Sequence, residues 1–268
     1  MPTFARIAAS IGLAVALSAC GGGDNNSSNP PGGSTNQVPS SSSSSGTGTT
    51  STNWSGYARA GLPAQYTGIT GTWVVPALTC DTGGNTSSSQ WLGIGGYALG
   101  DQTLIQAGTG TDCSGNAPFY YAWWEALPLP IVTVLGVSPL QPALEIHPGD
   151  VITTDISSTG PAIWTINIHD VTQGTAFSTT IPYTSSGESV EWIVEAPLNA
   201  GTGGTGQLEL SKFGRVDFSQ LTANGANAAL SSSERITLVS TSGAVLASPS
   251  APGSGGDTFA VCYGSGTC

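Results

Sequence analysis

The stretch AIWTINIHD (residues 162–170) shows the pattern that decides the fold class. Its apolar residues Trp164, Ile166 and Ile168 alternate with polar residues. Successive side chains of a β-strand point to opposite faces of a sheet, so this alternation predicts a strand with one buried face.

Strand patterns of similar length recur along the chain. The main ones are ITGTWVVP (69–76), SQWLGIGG (89–96), QTLIQAG (102–108), FYYAWWEALP (119–128), ALEIHPGDVITTDI (143–156) and SVEWIVEAP (189–197). Residues 143–156 are expected to form two strands joined at the turn residues Pro148, Gly149 and Asp150. Only residues 221–230 favour a helical turn. Many short strands separated by Gly, Ser and Thr predict an all-β sandwich or barrel.

The first 20 residues are predicted to form a lipoprotein signal peptide. One charge, Arg6, precedes an apolar stretch (7–17) that is too short for a transmembrane span. The stretch ends in LSAC (17–20), which resembles a bacterial lipobox, whose cysteine carries lipid in the mature protein. The alternative is an ordinary secretory signal that happens to contain Cys20.

Residues 21–52 are predicted to be a disordered tether. They consist mainly of Gly, Ser, Asn, Pro and Thr, with one charge and no aromatic residue, so they bury too little apolar surface to offset their ordering entropy. The folded domain is therefore expected to span residues 53–268.

The charge of the domain is strongly acidic. The chain has 16 acidic residues and 5 basic ones, and only Arg59, Lys212, Arg215 and Arg235 follow the signal peptide. Nucleic acid, which needs a basic patch, is excluded as the expected partner. With its carboxyls protonated, such a chain repels itself little, so the composition is compatible with acid pH.

Four cysteines follow Cys20, at positions 80, 113, 262 and 268. An even number in an exported chain suggests two disulfides, for which three pairings are possible. We favour Cys80–Cys113 and Cys262–Cys268, because each pair closes a loop bounded by turn residues.

The sequence lacks the motifs that several kinds of catalytic and binding site require. The two histidines, His147 and His169, do not form a zinc motif, and we interpret both as structural. The chain has no GxSxG elbow and no glycine-rich phosphate loop. No metal site is predicted, so carboxylates, amides and aromatic side chains remain for chemistry.

The stretch EWIVEAP (191–197) carries two glutamates in a chain of which only 8% is charged. In a strand, Glu191 and Glu195 share a face but lie about 13 Å apart, too far to share a proton. A catalytic partner of Glu195 must therefore come from another strand. Gln106, in an otherwise apolar strand, is either a satisfied core amide or a donor aimed at a substrate oxygen.

Six motifs occur in one order along the domain. They are NWSGY (53–57), QWLGIGGY (90–97), LIQAG (104–108), YYAWWEALP (120–128), EWIVEAP (191–197) and FGRVDF (213–218). Each is weak alone, but in this order and spacing the domain resembles the glutamic peptidases, or eqolisins, and especially their bacterial members. The resemblance implies a sandwich of two antiparallel sheets of jelly-roll type and acid endopeptidase activity without a cofactor.

The resemblance also assigns roles to residues. The catalytic pair corresponds to Gln106 and Glu195, with Glu195 as general acid/base on water and Gln106 as oxyanion donor. A carboxyl with a reference pKa near 4.3 is an effective base in acid. The substrate cleft is expected to include Trp54, Trp91, Trp123 and Glu125, whereas Glu191 is expected to have no catalytic duty.

Three positions depart from the fungal members of the family. Gly95, Gly110 and Tyr121 stand where those members typically carry acidic residues. The pH optimum and substrate preference are therefore not expected to copy theirs.

Two other functions remain open at this stage. One is a non-catalytic sandwich that binds carbohydrate or peptide, and the other is a glycosidase that uses Glu125 with Glu195. The expected protein is a monomer that acts on polypeptides and meets the membrane only through its lipid anchor. Gly21, rather than Asp, follows Cys20, which resembles the pattern of lipoproteins sorted to the outer membrane. We therefore expect the protein in the bacterial envelope or outside the cell.

Overall fold

The computed structural model describes residues 48–81, 84–134, 144–199, 206–266 and 268. The predicted signal peptide, Cys20 and most of the tether lie outside these residues. The strands are β1 (Thr49–Ser51), β2 (Trp54–Ala60), β3 (Gly68–Val74), β4 (Asn85–Ile94), β5 (Ile105–Ser114), β6 (Ala117–Ala126), β7 (Val132–Thr133), β8 (Val151–Gly160), β9 (Ile163–Asp170), β10 (Thr175–Pro182), β11 (Ser189–Glu195), β12 (Leu198–Asn199), β13 (Gly206–Gln207), β14 (Glu209–Leu210), β15 (Arg215–Ala223), β16 (Ala226–Asn227), β17 (Arg235–Val239), β18 (Val245–Pro249) and β19 (Phe259–Tyr263). One short 3₁₀ helix, Ser232–Glu234, is the helical element of the described part.

The strands form two antiparallel layers that share one hydrogen-bonded network. The first layer runs β6-β5-β4-β11-β2-β17, and the second runs β19-β15-β3-β8-β9-β10. Strand β18 pairs with both β17 and β19, so the sheet continues from one layer into the other. The prediction of an all-β antiparallel sandwich is confirmed.

The main core lies between the two layers. Trp73 of β3 reaches across it and donates its indole N–H to Thr109 Oγ1 of β5 at 2.9 Å, with both groups buried. Trp164, Ile166 and Ile168 of β9 are buried, as the alternation of residues 162–170 predicts. Burying a large apolar side chain contributes about 1.5–3 kcal/mol, so this core is the main source of stability.

Two predictions about local structure are wrong. Residues 144–147 form no strand, and the loop is instead held by the buried carboxyl of Asp150, which accepts the backbone N–H of His147 at 2.7 Å. The helical turn expected at 221–230 is absent because Leu221–Ala223 ends β15. A turn through Asn224, which adopts a positive φ of 52°, then leads into β16.

The ends of the domain are tied to the sheet. Cys80–Cys113 joins the segment after β3 to β5, and Cys262–Cys268 closes the loop after β19, in the pairing that the sequence favours. Strand β1 pairs in parallel with β17, so the end of the predicted disordered tether (21–52) is wrong: residues 49–51 belong to the sheet. In the described part of the chain, no helix is long and apolar enough to cross a membrane.

Candidate active site

The face of the first layer that points away from the main core carries the predicted site, and we call it the cleft face. Leu92 and Trp192, which alternate with Trp91 and Ile193 along β4 and β11, point into the main core. Trp91 and Ile193 belong instead to a second, smaller apolar cluster that also includes Trp54 and Trp123. The alternation along each strand therefore separates a structural face from a face available for chemistry.

The strand register arranges the cleft face in rows. One row crosses from Glu191 of β11 over Gly93 and Gln106 to Glu125 of β6. Another row, four residues along the strands, crosses from Glu195 over Ser89 and Gly110 to Tyr121. Trp91 lies in the row between them. The register thus brings Gln106, Glu125, Glu191 and Glu195 to one face of the sheet.

Each oxygen of the Glu195 carboxyl has an N–H donor. Trp91 Nε1 donates to Oε2 at 2.8 Å, and Asn53 Nδ2 donates to Oε1 at 3.3 Å. Ser51 Oγ donates to Asn53 Oδ1 at 3.0 Å, which turns the amide of Asn53 so that its nitrogen faces the carboxyl. Glu195 is therefore held in place by N–H groups, which can donate a hydrogen bond to the carboxyl but cannot accept one from it.

The pKa of Glu195 is raised to about 7. Burial is the largest cause, because the side chain is only 8% exposed and the charged form loses its hydration. The donors, Trp91 first, lower the pKa in opposition, and the carboxyl of Glu125 raises it further. Glu195 therefore exchanges a proton near neutral pH, which suits a group that must both take and return one.

Gln106 forms a pair with Glu125 on the neighbouring strand. Gln106 Nε2 donates to Glu125 Oε2 at 2.7 Å, which fixes the orientation of the amide. The pKa of Glu125 is raised by burial, and the bond from Gln106 lowers it in part. Gln106 is only 3% exposed, and its Oε1 is buried without a hydrogen-bond partner. A free amide oxygen and a second Nε2 hydrogen therefore remain for a ligand.

No direct hydrogen bond joins Gln106 to Glu195. Their backbone positions lie two strands apart and four residues apart in register, which is about 13 Å along the strands and about 10 Å across them. Both side chains are long, and Glu125 acts on the pKa of Glu195 while bonding Gln106. Both groups therefore lie on the cleft face, and Glu125 interacts with each of them.

The three predicted cleft tryptophans are buried. Trp54 and Trp91 pack edge to face with ring centroids 5.1 Å apart, and Trp123 lies in the same cluster. Trp54 Nε1 lies beside the Glu195 carboxyl without a hydrogen bond of ordinary geometry. Trp54 and Trp91 line the Glu195 carboxyl, and none of the three buried rings forms an open stacking platform.

Glu191 differs from Glu195. Its side chain is 0% exposed, and neither carboxyl oxygen has a hydrogen-bond partner of ordinary geometry. Burial raises the pKa of Glu191 well above its usual value, and the nearby Ser189 hydroxyl lowers it in part. The carboxyl is therefore protonated in the folded protein across the acid range.

Two of the three departures from the fungal pattern, Gly95 and Gly110, have a steric basis in this structure. Gly95 adopts a φ of +91°, and a Cβ there would lie 2.4 Å from the carbonyl oxygen of Thr103. The ring of Tyr121 lies over Gly110, where a Cβ would come within 2.2 Å of Tyr121 Cζ. The backbone itself therefore excludes a side chain at Gly95, whereas a side chain at Gly110 would require the ring of Tyr121 to move.

Asn53 was not singled out from the sequence, although it belongs to the NWSGY stretch. A buried amide two residues after a hydroxyl residue is the signal that could have drawn attention to it. As for metals, no group of three or more His, Cys, Asp or Glu side chains with the geometry of a metal site occurs among the residues that the structure describes.

Comparisons with known proteins identify the family of the chain and proteins of similar fold. The model of the Peptidase A4 family matches residues 52–263. The fold is similar to scytalido-glutamic peptidase solved with a transition state analog inhibitor (TM-score 0.60, 18% identity, covering 79% of this chain and 98% of that one). It is also similar to SCP-B, an eqolisin solved with the tripeptide Ala-Ile-His (TM-score 0.56, 17% identity, 79% and 98% covered). Aspergilloglutamic peptidase from Aspergillus niger gives a TM-score of 0.54 at 23% identity, with 66% and 99% covered. No curated protein sequence matches the chain.

Proposed function

The chain belongs to the Peptidase A4 family, and from that membership we propose that it is a glutamic endopeptidase that cleaves polypeptides with Glu195 and Gln106. The observation that supports this most is the state of Glu195. Its carboxyl is buried, accepts an N–H hydrogen bond on each oxygen, and has a pKa of about 7. Glu195 also lies on the same face of the sheet as Gln106.

The proposed reaction begins with ionised Glu195 as general base. It removes a proton from a water molecule as the water oxygen attacks the carbonyl carbon of the scissile peptide bond. Glu195 then gives the proton to the leaving amide nitrogen as the tetrahedral intermediate collapses. Because the donors on Glu195 only donate, the proton must occupy a lone pair that they leave free. Neither a metal ion nor a covalent intermediate is part of this scheme.

Gln106 is proposed to stabilise the intermediate. One Nε2 hydrogen bonds Glu125, and the second is free to donate to the developing oxyanion. The unpartnered Oε1 is free to accept a hydrogen bond from the attacking water. Glu125 thus has a positioning role, because its carboxyl sets which way the amide of Gln106 points.

The raised pKa changes the expected pH range. A base with a reference pKa near 4.3 acts best in acid, but Glu195 at about 7 is mostly protonated below neutrality. We therefore propose activity that extends from acid towards neutral pH and rises as Glu195 ionises.

The location of the enzyme is part of the proposal. The LSAC motif supports a lipid on Cys20, and we propose that the Gly-, Ser- and Asn-rich residues between Cys20 and β1 are a tether between that lipid and the domain. From these features we propose a peptidase held at the bacterial outer membrane or released outside the cell, and we propose separately that it acts as a monomer.

The direct test is cleavage of a denatured protein by the purified enzyme between pH 2 and pH 8, with and without a metal chelator. We expect cleavage that the chelator leaves unchanged and that Glu195→Gln abolishes. A protein that cuts nothing but binds peptides or glycans would instead favour the binding-module hypothesis. Cleavage of glycosidic bonds would favour the glycosidase hypothesis.

A further inference from the structure

The hydrogen-bond ladder between β5 and β6 ends, beside the candidate site, in a rung that a side chain interrupts. The regular pairing ends where Ile105 faces Ala126. At the next position, the N–H of Leu127 donates to the carbonyl oxygen of Leu104 at 2.9 Å. In a regular antiparallel ladder, such a pair also exchanges the reciprocal bond, from the N–H of Leu104 to the carbonyl oxygen of Leu127.

The hydroxyl of Tyr183 takes the place of that reciprocal bond. The N–H of Leu104 donates to Tyr183 Oη at 2.8 Å, and the hydroxyl donates to the carbonyl oxygen of Leu127 at 2.9 Å. One O–H group completes the rung, because a hydroxyl accepts from one strand while it donates to the other. The inserted oxygen holds the two strands farther apart here than a direct N–H···O bond of about 2.9 Å would.

Tyr183 reaches this rung from the second layer of the sandwich. It directly follows β10, its N–H donates to the carbonyl oxygen of Ala162 beside β9 at 2.9 Å, and its ring packs against the main core. Burial raises the pKa of Tyr183 to about 12, so the hydroxyl keeps the proton that it donates to Leu127. The spacing of β5 and β6 is therefore set by a side chain that the second layer holds in place.

The interrupted rung lies next to Gln106 and Glu125. Hydrogen-bonded pairs alternate along an antiparallel ladder, so Leu104–Leu127 and Gln106–Glu125 are consecutive pairs of the same kind. Leu104 and Leu127 belong to the apolar cluster of the cleft face, and the carboxyl of Glu125 is close enough to the Tyr183 hydroxyl to affect its pKa. A change of strand spacing at this rung therefore changes the geometry of the 2.7 Å bond from Gln106 to Glu125.

We propose that Tyr183 is a positioning residue of the peptidase, whose hydroxyl spaces β5 and β6 and thereby sets the orientation of the Gln106 amide through Glu125. The proposal rests on the proposed function, in which that amide donates to the oxyanion. Without the hydroxyl, the backbone groups of Leu104 and Leu127 lose their partner, and leaving them unpaired is unfavourable. A direct bond between them draws the strands together and turns the amide of Gln106 from its working direction.

The test removes the hydroxyl and keeps the ring. For Tyr183→Phe in the full chain, we expect kcat on a peptide substrate to fall about tenfold with KM within about twofold, since displacing a catalytic group by about 1 Å costs up to about 10²-fold. Tyr57→Phe is the matched control, because Tyr57 is also buried and its hydroxyl donates to the backbone carbonyl of Ser250 at 2.7 Å. We expect this control to leave kcat unchanged. An unchanged kcat in folded Tyr183→Phe would overturn the proposal.

A double-mutant cycle separates positioning of Gln106 from a general structural role. In the Gln106→Ala background, the amide that Tyr183 positions is absent, so Tyr183→Phe should change kcat by less than about twofold. A merely structural role would lower kcat by the same factor in both backgrounds. Equal falls would therefore contradict the assignment.

A second variant covers the case in which Tyr183→Phe does not fold, as judged by thermal unfolding. Tyr183→p-aminophenylalanine keeps the ring and a donor for Leu127 but accepts poorly from the N–H of Leu104. We expect a smaller fall in kcat that again disappears in the Gln106→Ala background. A kcat equal to that of the wild type would overturn the proposal.

The side-chain signals of Gln106 give a readout that does not need activity. They are identified in ¹H–¹⁵N spectra as the pair of N–H signals that Gln106→Ala removes. We expect Tyr183→Phe to shift them and Tyr57→Phe to leave them in place. If the wild-type protein cleaves no peptide and the signals still shift, the peptidase proposal fails while the positioning of Gln106 stands. Signals that stay in place in folded Tyr183→Phe would overturn the positioning, whether or not the protein is a peptidase.

Discussion

The two ends of strand β11 bury carboxyls in opposite ways. At one end, Glu191 is fully enclosed, and no donor of ordinary geometry meets either oxygen. At the other end, Glu195 is nearly as enclosed but receives an N–H on each oxygen. Burial raises the pKa of both, yet only Glu195 is surrounded by groups that stabilise its ionised form.

The difference shows that burial of a carboxyl is not by itself a sign of chemistry. A buried acid without donors stays protonated and acts as a neutral polar side chain. A buried acid with donors keeps both protonation states within reach near neutral pH, which is the property of a general acid/base. Substitutions at the two ends should therefore have different consequences.

The largest expected effect follows from Glu195→Gln. The amide cannot take a proton from water, so we expect kcat to fall by about 10³-fold, within the range for loss of a general acid/base. Steady-state kinetics on a peptide substrate checks this, with Glu191→Gln as the matched control on the same strand. Comparable losses in the two variants would remove the distinction between the ends.

Gln106→Ala should cost nearly as much. It removes the N–H proposed for the oxyanion, and loss of one such donor lowers kcat by about 10²–10³-fold. The fall should appear in kcat rather than in KM, because the interaction is made in the transition state. A rise in KM alone would show that Gln106 only binds substrate.

The pH dependence of the wild-type enzyme tests the state of Glu195 directly. Its pKa of about 7 predicts that kcat/KM rises about tenfold per pH unit in acid and levels off near pH 7. Rates measured at constant ionic strength from pH 4 to pH 8 give the profile. A maximum near pH 4, with a fall towards neutrality, would contradict a pKa near 7 for Glu195, while the Glu195→Gln variant tests its role as the base.

Trp91→Phe should make Glu195 more like Glu191. The variant loses the 2.8 Å donor that favours the ionised carboxyl, so the pKa of Glu195 should rise. A hydrogen bond to a charged group is worth about 1.5–3 kcal/mol, so the rising limb of the pH profile should move up by about one pH unit or more. A limb that stays in place while the rate falls would mean that Trp91 acts only through packing.

Glu191→Gln should have the smallest effect on activity, within about twofold, but a measurable effect on stability. The folded protein keeps a proton on Glu191 that the unfolded chain loses above about pH 4.3. Between those two pKa values, each pH unit lowers the free energy of unfolding of the wild type by about 1.4 kcal/mol through this group. Glutamine has no such proton, so the variant should lose less stability as the pH rises.

Urea unfolding at pH 5, 6 and 7 measures this difference. Parallel falls in the free energy of unfolding for the two proteins would show that Glu191 ionises in the folded state at little cost. That result would also remove the difference between Glu191 and Glu195, because both carboxyls could then ionise in the folded protein.

The alternation of apolar and polar residues along single strands predicted which side chains are buried and which share a face. It could not predict which strands pair. It placed Trp164, Ile166 and Ile168 in the core, and it placed Glu191 and Glu195 on one shared face. The same pattern misled at residues 144–147, where Leu144 and Ile146 are buried but the described backbone forms no strand. Alternation reports which side chains are buried, and a loop that packs on the core produces it too.

The contacts around Glu195 were beyond the sequence because they depend on register between distant strands. Trp91 meets Glu195 through the pairing of β4 with β11, and a shift of one residue would turn its ring into the core. Asn53 reaches the same carboxyl from 142 residues away in the chain. Local patterns contain no information about such pairings, and only the family resemblance connected Gln106 with Glu195.

The stacking of Tyr121 over Gly110 has a consequence for the history of this site. An aspartate restored at position 110 would collide with the tyrosine ring, while a small residue at 121 would leave a hole above the glycine. Neither change is tolerated well alone, so the two positions are expected to evolve as a pair.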